Sequence, residues 1–232
     1  MKISEILNDF FHLFIPIKCV NCGISLHDHE NYVCKECLFK IPRTDFHKFP
    51  ENSVSQVFWG RVRLENAFSF YYFTKGSILQ NLIHEVKYRH AKELAYELGK
   101  EFGNELKGSN FHKQIDYIVP VPLHPKKEKK RGYNQSDWIA RGIADVLEVK
   151  VSNQILERTV HTSTQTKKNR IQRWENVKDA FEVKNSALIE NKHLVLIDDV
   201  ITTGATLEAC ANQILKVNNT KVSIISLAFA TD

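Results

Sequence analysis

Apolar positions recur along this chain at two periods, near two and near 3.6 residues, and the two alternate from Ala67 onward. The aromatic-rich run Ala67–Phe73 reads as a strand. Ser77–Lys87 carries Ile78, Leu79, Leu82, Ile83 and Val86 on one helical stripe, with Ser77 placed to cap it. A second helix is expected over Ala91–Leu106, a short buried strand over Tyr117–Val121, and a helix over Asn134–Val149. His193–Ile197 and Val222–Phe229 read as further strands, with a helix from about Leu207 to Leu215 between them. Strands alternating with helices predict an α/β domain built on a mainly parallel sheet. Before it, Met1–Phe14 places Ile3, Ile6, Leu7, Phe10, Leu13 and Phe14 at helical spacing, which predicts a short amphipathic helix. Residues 43–66, with Pro50, Asn52, Ser53 and Gly60, carry no clear period and read as a connector in which Phe58 and Trp59 anchor. The expected division is therefore 1–42, 43–66 and 67–232.

Composition changes this picture little. The 232 residues are 43% hydrophobic and 25% charged, ordinary for a folded chain. The formal charge of +5 does not by itself predict nucleic-acid binding. No apolar run is long enough to span a membrane. Glu5 and Asp9 interrupt any export leader, so the cytoplasm is the expected compartment.

Four of the five cysteines follow the pattern C-x2-C-x11-C-x2-C: Cys19, Cys22, Cys34 and Cys37. Two such pairs converge on one tetrahedral Zn²⁺, and a cytosolic chain disfavours the disulfide alternative. A closed four-cysteine site is structural, because it leaves no position open to substrate. His27 and His29 read as surface residues, and Cys210 as core. Four thiolates on a dication would lower the net charge to about +3.

Residues 195–206, Val-Leu-Ile-Asp-Asp-Val-Ile-Thr-Thr-Gly-Ala-Thr, carry the chemistry. A strand, a short turn and a helix N-terminus form an anion site. Backbone N–H groups from Thr202 through Thr203, Gly204 and Ala205 to Thr206 can cradle phosphate oxygens, and the three threonine hydroxyls add donors. Asp198 and Asp199 can accept from ribose hydroxyls, and one of them can help hold Mg²⁺ through water. A ribose 5-phosphate has both halves that this stretch suits. The stretch resembles the phosphoribosyl-pyrophosphate (PRPP) signature of type I phosphoribosyltransferases and fits it at every position. The competing reading is a buried strand followed by an ordinary polar turn.

Val119-Pro120-Val121-Pro122-Leu123-His124-Pro125 places three prolines within six residues, a rigid turn poor in donors. Lys126, Lys127, Lys129, Lys130 and Arg131 follow as an expected cationic, mobile loop. That pair suits a pyrophosphate leaving group. A solvated loop, or contact with the phosphates of single-stranded DNA or RNA, are the other readings. Lys167, Lys168, Arg170 and Arg173 with Trp174 form a second basic–aromatic cluster open to the same reading or to that of a solvated helix face.

The cysteine pairs, VPVPLHP leading into RGYNQ, Lys87-Tyr88-Arg89, Gln165-Thr166 with Arg170 and Asn176, and VLIDDVITTGAT together resemble the ComF, or GntX-like, family. The resemblance implies an N-terminal zinc module on a type I phosphoribosyltransferase-like domain, with a role in DNA uptake during natural transformation. It implies that Asp198 and Asp199 hold the ribose hydroxyls and Thr202 to Thr206 the 5′-phosphate. Val121-Pro122-Leu123 would be the pyrophosphate loop, Lys87 and Arg89 would contact phosphates, and Arg131 would belong to a flexible lid. The family usually has a glycine soon after the lysine element, where this chain has His90. Three functions follow from these readings. One is a phosphoribosyltransferase using PRPP and Mg²⁺. Another is a single-stranded DNA-binding protein that keeps the pocket as sensor or relic. The third is a zinc-stabilised adaptor.

Overall fold

The computed structural model describes residues 17–27, 30–109, 111–159 and 180–230. The expected N-terminal helix, His29, and the segment holding Gln165, Thr166, Lys167, Lys168, Arg170, Arg173, Trp174 and Asn176 lie outside these residues.

Five parallel strands form the central sheet: β1 (Ala67–Phe73), β2 (Tyr117–Pro120), β3 (Lys150–Val151), β6 (His193–Ile201) and β7 (Lys221–Ala230), in the order β1-β7-β6-β2-β3. A separate antiparallel ribbon pairs β4 (Leu156–Arg158) with β5 (Phe181–Val183). Helices α3 (Ile78–Tyr88), α4 (Lys92–Lys107) and α6 (Gln135–Leu147) cover one face of the sheet, over Val195, Ile197, Ile225 and Leu227. On the other face α2 (Ser53–Phe58), α7 (Ala205–Ile214) and the β4–β5 ribbon pack against Leu194, Leu196, Val222 and Ile224. Both faces of β6 are therefore buried, which is why it reads as a continuous apolar run rather than an alternating one.

On the way from β2 to β3, α6 packs on one face, and α7, which follows β6, packs on the other. Adjacent parallel strands whose helices diverge in this way leave a crevice at their carboxyl ends. The proline turn and the acid–threonine turn flank that crevice. The position of α6 depends on glycines. A Cβ on Gly142 would stand 2.1 Å from Tyr96 O, and one on Gly99 2.3 Å from Ile139 O, so α4 and α6 approach backbone to backbone. That contact sets where the first turn of α6 meets β6.

Two expected segments differ. The run after the proline turn is a helix, α5 (Pro125–Arg131), rather than a mobile loop. Proline at the first helical position loses no hydrogen bond, His124 Nδ1 accepts from Lys126 N–H at 3.1 Å, and the helix ends at Gly132. Lysine, glutamate and arginine then serve as good helix formers. Within 43–66 the capping box of Asn52 and Ser55 starts α2, which buries Val54 and Phe58 while Trp59 stays exposed. A five-residue helix, α1 (Lys35–Phe39), follows Cys34. Among the described residues no helix is long and apolar enough to cross a membrane.

Candidate functional site

β6 runs four residues beyond the expected Ile197, so the two acids are strand residues with fixed, diverging directions. Asp199, buried, turns toward the α3/α6 layer. Its Oδ2 takes an ion pair from Lys87 Nζ at 2.6 Å and a hydrogen bond from Gln135 Nε2 at 3.2 Å. Asp198 Oδ1 accepts from Ser136 Oγ at 3.0 Å and from Asp199 N–H at 2.9 Å. Burial, and then the neighbouring Asp199 carboxylate, raise the Asp198 carboxyl from its usual 3.8 to about 7. Two adjacent carboxyls with separate partners can hold a diol.

The turn after β6 starts α7 two residues earlier than expected. Gly204 is the N-cap, at φ +72°, and Ala205 is the first helical residue. Thr202 is exposed, while Thr203 and Thr206 are half-buried. Ala205 N–H donates weakly to Thr203 Oγ1 at 3.4 Å. Among the described residues, the N–H groups of Thr202, Thr203, Gly204 and Thr206 find no protein acceptor. Converging free donors at the positive end of a helix favour an anion.

Across the crevice, Val121 N–H donates to Ile197 O at 2.9 Å, and Asn134 Nδ2 donates to Val121 O at 2.9 Å, so the proline turn is tied to both β6 and α6. Pro122 and Leu123 are half-buried beside it. Arg131 Nη1 donates to Gln135 Oε1 at 2.8 Å. Gln135 thereby links Arg131 to Asp199, and Asp199 to Lys87. Lys87, Tyr88, His90, Lys127, Lys130 and Arg131 line a cavity of about 240 Å³. Arg131 lies over the Tyr88 ring at 5.7 Å, and Tyr88 is exposed. Arg89 caps α3 and is exposed, outside that lining.

Four residues here take roles that the sequence reading did not assign, although Gln135 belongs to the RGYNQ motif. Gln135 and Ser136 owe theirs to the first turn of α6, 64 and 62 residues from the acids they touch. Arg61 reaches the threonine turn from the segment after α2, donating to Thr203 O at 3.1 Å. Arg158 on β4 stacks over Phe181 at 5.3 Å, half-buried and without a carboxylate partner among the described residues. Burial lowers its affinity for the proton, and the fields of Cys210 and Asp198 oppose that.

Comparison with known proteins gives this geometry a family. Residues 136–231 match the phosphoribosyl transferase domain. The DNA utilization protein YhgH of Salmonella typhimurium is 30% identical over 201 residues, covering 85% of this chain and 78% of the relative. Competence protein F of Haemophilus influenzae is 26% identical over 229 residues, covering 94% and 99%. The chain belongs to the ComF-like family. Among solved structures, the allosteric regulatory enzyme of purine biosynthesis is 18% identical with a TM-score of 0.42, over 62% of this chain and 30% of the length of that one.

The ComF-like fold accommodates its one departure from pattern through the backbone. His90 takes φ +58°, the left-handed region that a glycine would occupy without strain, and Lys92 N–H closes the turn on His90 O at 2.9 Å. The N-terminal cysteines fit a zinc module. The four sulfurs lie within 4.8 Å of one another, with Cys22 Sγ and Cys34 Sγ 3.7 Å apart. A tetrahedron of sulfurs about 2.3 Å from Zn²⁺ has edges of roughly 3.8 Å. Backbone N–H groups already face the sulfurs, Cys34 N to Cys19 Sγ at 3.4 Å and Cys37 N to Cys34 Sγ at 3.4 Å. Asn21 Nδ2 donates to Cys37 Sγ at 3.3 Å, and Asn81 Nδ2 on α3 donates to Asn21 Oδ1 at 3.0 Å. Such outer contacts orient ligands.

Proposed function

We propose that this ComF-like chain binds PRPP with Mg²⁺ and transfers or holds its phosphoribosyl group, in the service of DNA uptake. One observation carries the reading. An acid pair on β6 leads directly into a helix-starting turn with N–H donors, and Lys87, which pairs with Asp199, also lines a cationic cavity, so groups suited to ribose hydroxyls, a 5′-phosphate and a pyrophosphate are linked through one ion pair. The names of the relatives, competence protein F and DNA utilization protein, support the biological role.

Asp198 and Asp199 would hold the 2′- and 3′-hydroxyls. Thr202, Thr203, Gly204, Ala205 and Thr206 would take the 5′-phosphate. Val121, Pro122 and Leu123 would give the leaving group a rigid wall, with Lys87 and Arg131 offsetting its charge as the C1–O bond breaks. Arg89, exposed at the end of α3, would contact a phosphate only at the mouth. Mg²⁺, held through water by one acid, would supply further charge compensation on the pyrophosphate. Zn²⁺ at Cys19, Cys22, Cys34 and Cys37 would be structural.

Calorimetry of PRPP with Mg²⁺ on wild type and on Asp198→Asn/Asp199→Asn tests this. Saturable heat lost in the variant is the expected result. No heat and no thermal stabilisation at millimolar PRPP would overturn it. The second reading, single-stranded DNA binding, is favoured by exposed Tyr88 under Arg131 beside Lys127 and Lys130. It predicts steep loss of DNA affinity with salt and near-indifference to Asp199→Asn.

A further inference from the structure

Glu208 stands in the first turn of α7, 5% exposed, a carboxylate beside the turn assigned above to a phosphate. Left alone it would oppose that phosphate. Arg61 ion-pairs with it through Nη2. The other arm of the same guanidinium, Nη1, donates to Thr203 O at 3.1 Å and to Val57 O at 2.8 Å. A trans peptide is planar, and its C=O and N–H point in opposite directions. Fixing Thr203 O on Arg61 therefore aims the Gly204 N–H away from Arg61, toward the open side of the turn. A Cβ at Gly204 would stand 2.8 Å from Val57 Cγ1 and 2.9 Å from Phe58 Cε1, so α2 backs the turn tightly.

We infer that Arg61 is the positioning residue of the phosphate turn: it orients the Thr203–Gly204 peptide toward the ligand and neutralises Glu208. This rests on the phosphoribosyl reading and deepens it, because it makes the segment after α2 part of the phosphate pocket. Arg61 does not touch the ligand. It acts through the Thr203–Gly204 peptide, whose N–H would face the ligand.

The test uses the full chain with ribose 5-phosphate and, separately, inorganic pyrophosphate with Mg²⁺ as probes. Arg61→Gln should weaken ribose 5-phosphate about ten-fold or more, the size of one lost charge-assisted contact. Pyrophosphate affinity should stay within about two-fold, since Lys87 and Arg131 lie across the crevice from Arg61. Should Arg61→Gln fail to fold, Arg61→Lys decides. It keeps the charge opposite Glu208 but lacks the fork that also holds Thr203 O, so ribose 5-phosphate should weaken about three-fold or more with pyrophosphate unchanged. Equal weakening of both probes, or of neither, overturns the inference. A wild-type chain that binds neither probe overturns the phosphoribosyl reading itself.

Discussion

Asp198→Asn separates the cost of the acid pair from its use. The substitution preserves shape, and the asparagine oxygen can still accept from Ser136 Oγ and Asp199 N–H, at 3.0 and 2.9 Å in the wild type. Only the ability to carry charge is lost. In the folded chain burial, with Asp199 as a second cause, raises this carboxyl from 3.8 to about 7. A shift of about three units corresponds to about 4 kcal/mol. On the order of 2–4 kcal/mol should be measurable once the coupled pair relaxes. The unfolded chain releases the Asp198 proton near pH 4 and the folded chain near pH 7. Between those values the folded state holds a proton that the unfolded state has lost, so the Asp198 contribution to wild-type stability falls as pH rises. Below about pH 4 both states are protonated and Asp198→Asn should be nearly neutral. Its advantage should then grow by about 1 kcal/mol per pH unit and level off above about pH 7. Urea denaturation of both proteins at about pH 4.5, 5.5, 6.5 and 8 reads this directly, since the titrations of groups distant from Asp198 cancel in the difference. A difference flat across that range, or a variant less stable than wild type at pH 8, would refute the reasoning. The same variant should bind ribose 5-phosphate more weakly while folding more tightly, as expected where a strained site is retained for function.

Lys87→Met leaves Asp199 with Gln135 Nε2 and the Val200 N–H but no cation, and should cost roughly 1–3 kcal/mol in denaturation at pH 8 and about ten-fold in pyrophosphate affinity; unchanged pyrophosphate binding would remove Lys87 from the site. Gly142→Ala drives a methyl against Tyr96 O and Lys100 N, at 2.1 and 2.8 Å, and should destabilise by about 3 kcal/mol or more, read as a large drop in urea midpoint. Chelation should release one Zn²⁺ per chain, measured with a chromogenic indicator, and lower the melting temperature; Cys22→Ser should already show weaker retention of the metal.

What could be read from the chain was whatever depends on near neighbours. The acid pair and threonine turn are contiguous, the cysteine pairs follow a spacing rule, and the strands and longer helices announce themselves by period. α5 was misread because proline and a lysine run both signal loop in isolation. Their meaning reverses when His124 caps and Pro125 takes the first helical position. Arg61 was hidden for a different reason. Its segment has no period, and its role depends on a fold that brings it to Thr203 across 142 residues. Arg158 sits in a three-residue strand, too short to carry a pattern.

Helix α3 shows why the zinc module and the crevice belong to one working unit. Near its start Ile78 packs against the cysteine cluster and Asn81 holds Asn21, which in turn holds Cys37 Sγ. Near its end Lys87 pairs with Asp199, and the Val86 carbonyl accepts from Tyr133 OH just before α6. Eleven residues of helix span the distance between these two anchorages. An α-helix is stiff over about three turns, so a shift at the cysteine end carries to the lysine end with little loss. A short segment around four cysteines cannot bury enough apolar surface to hold such a helix alone, and a metal supplies what the core lacks. The module's contribution to the crevice is then geometric: it fixes one end of the helix whose other end pairs Lys87 with Asp199.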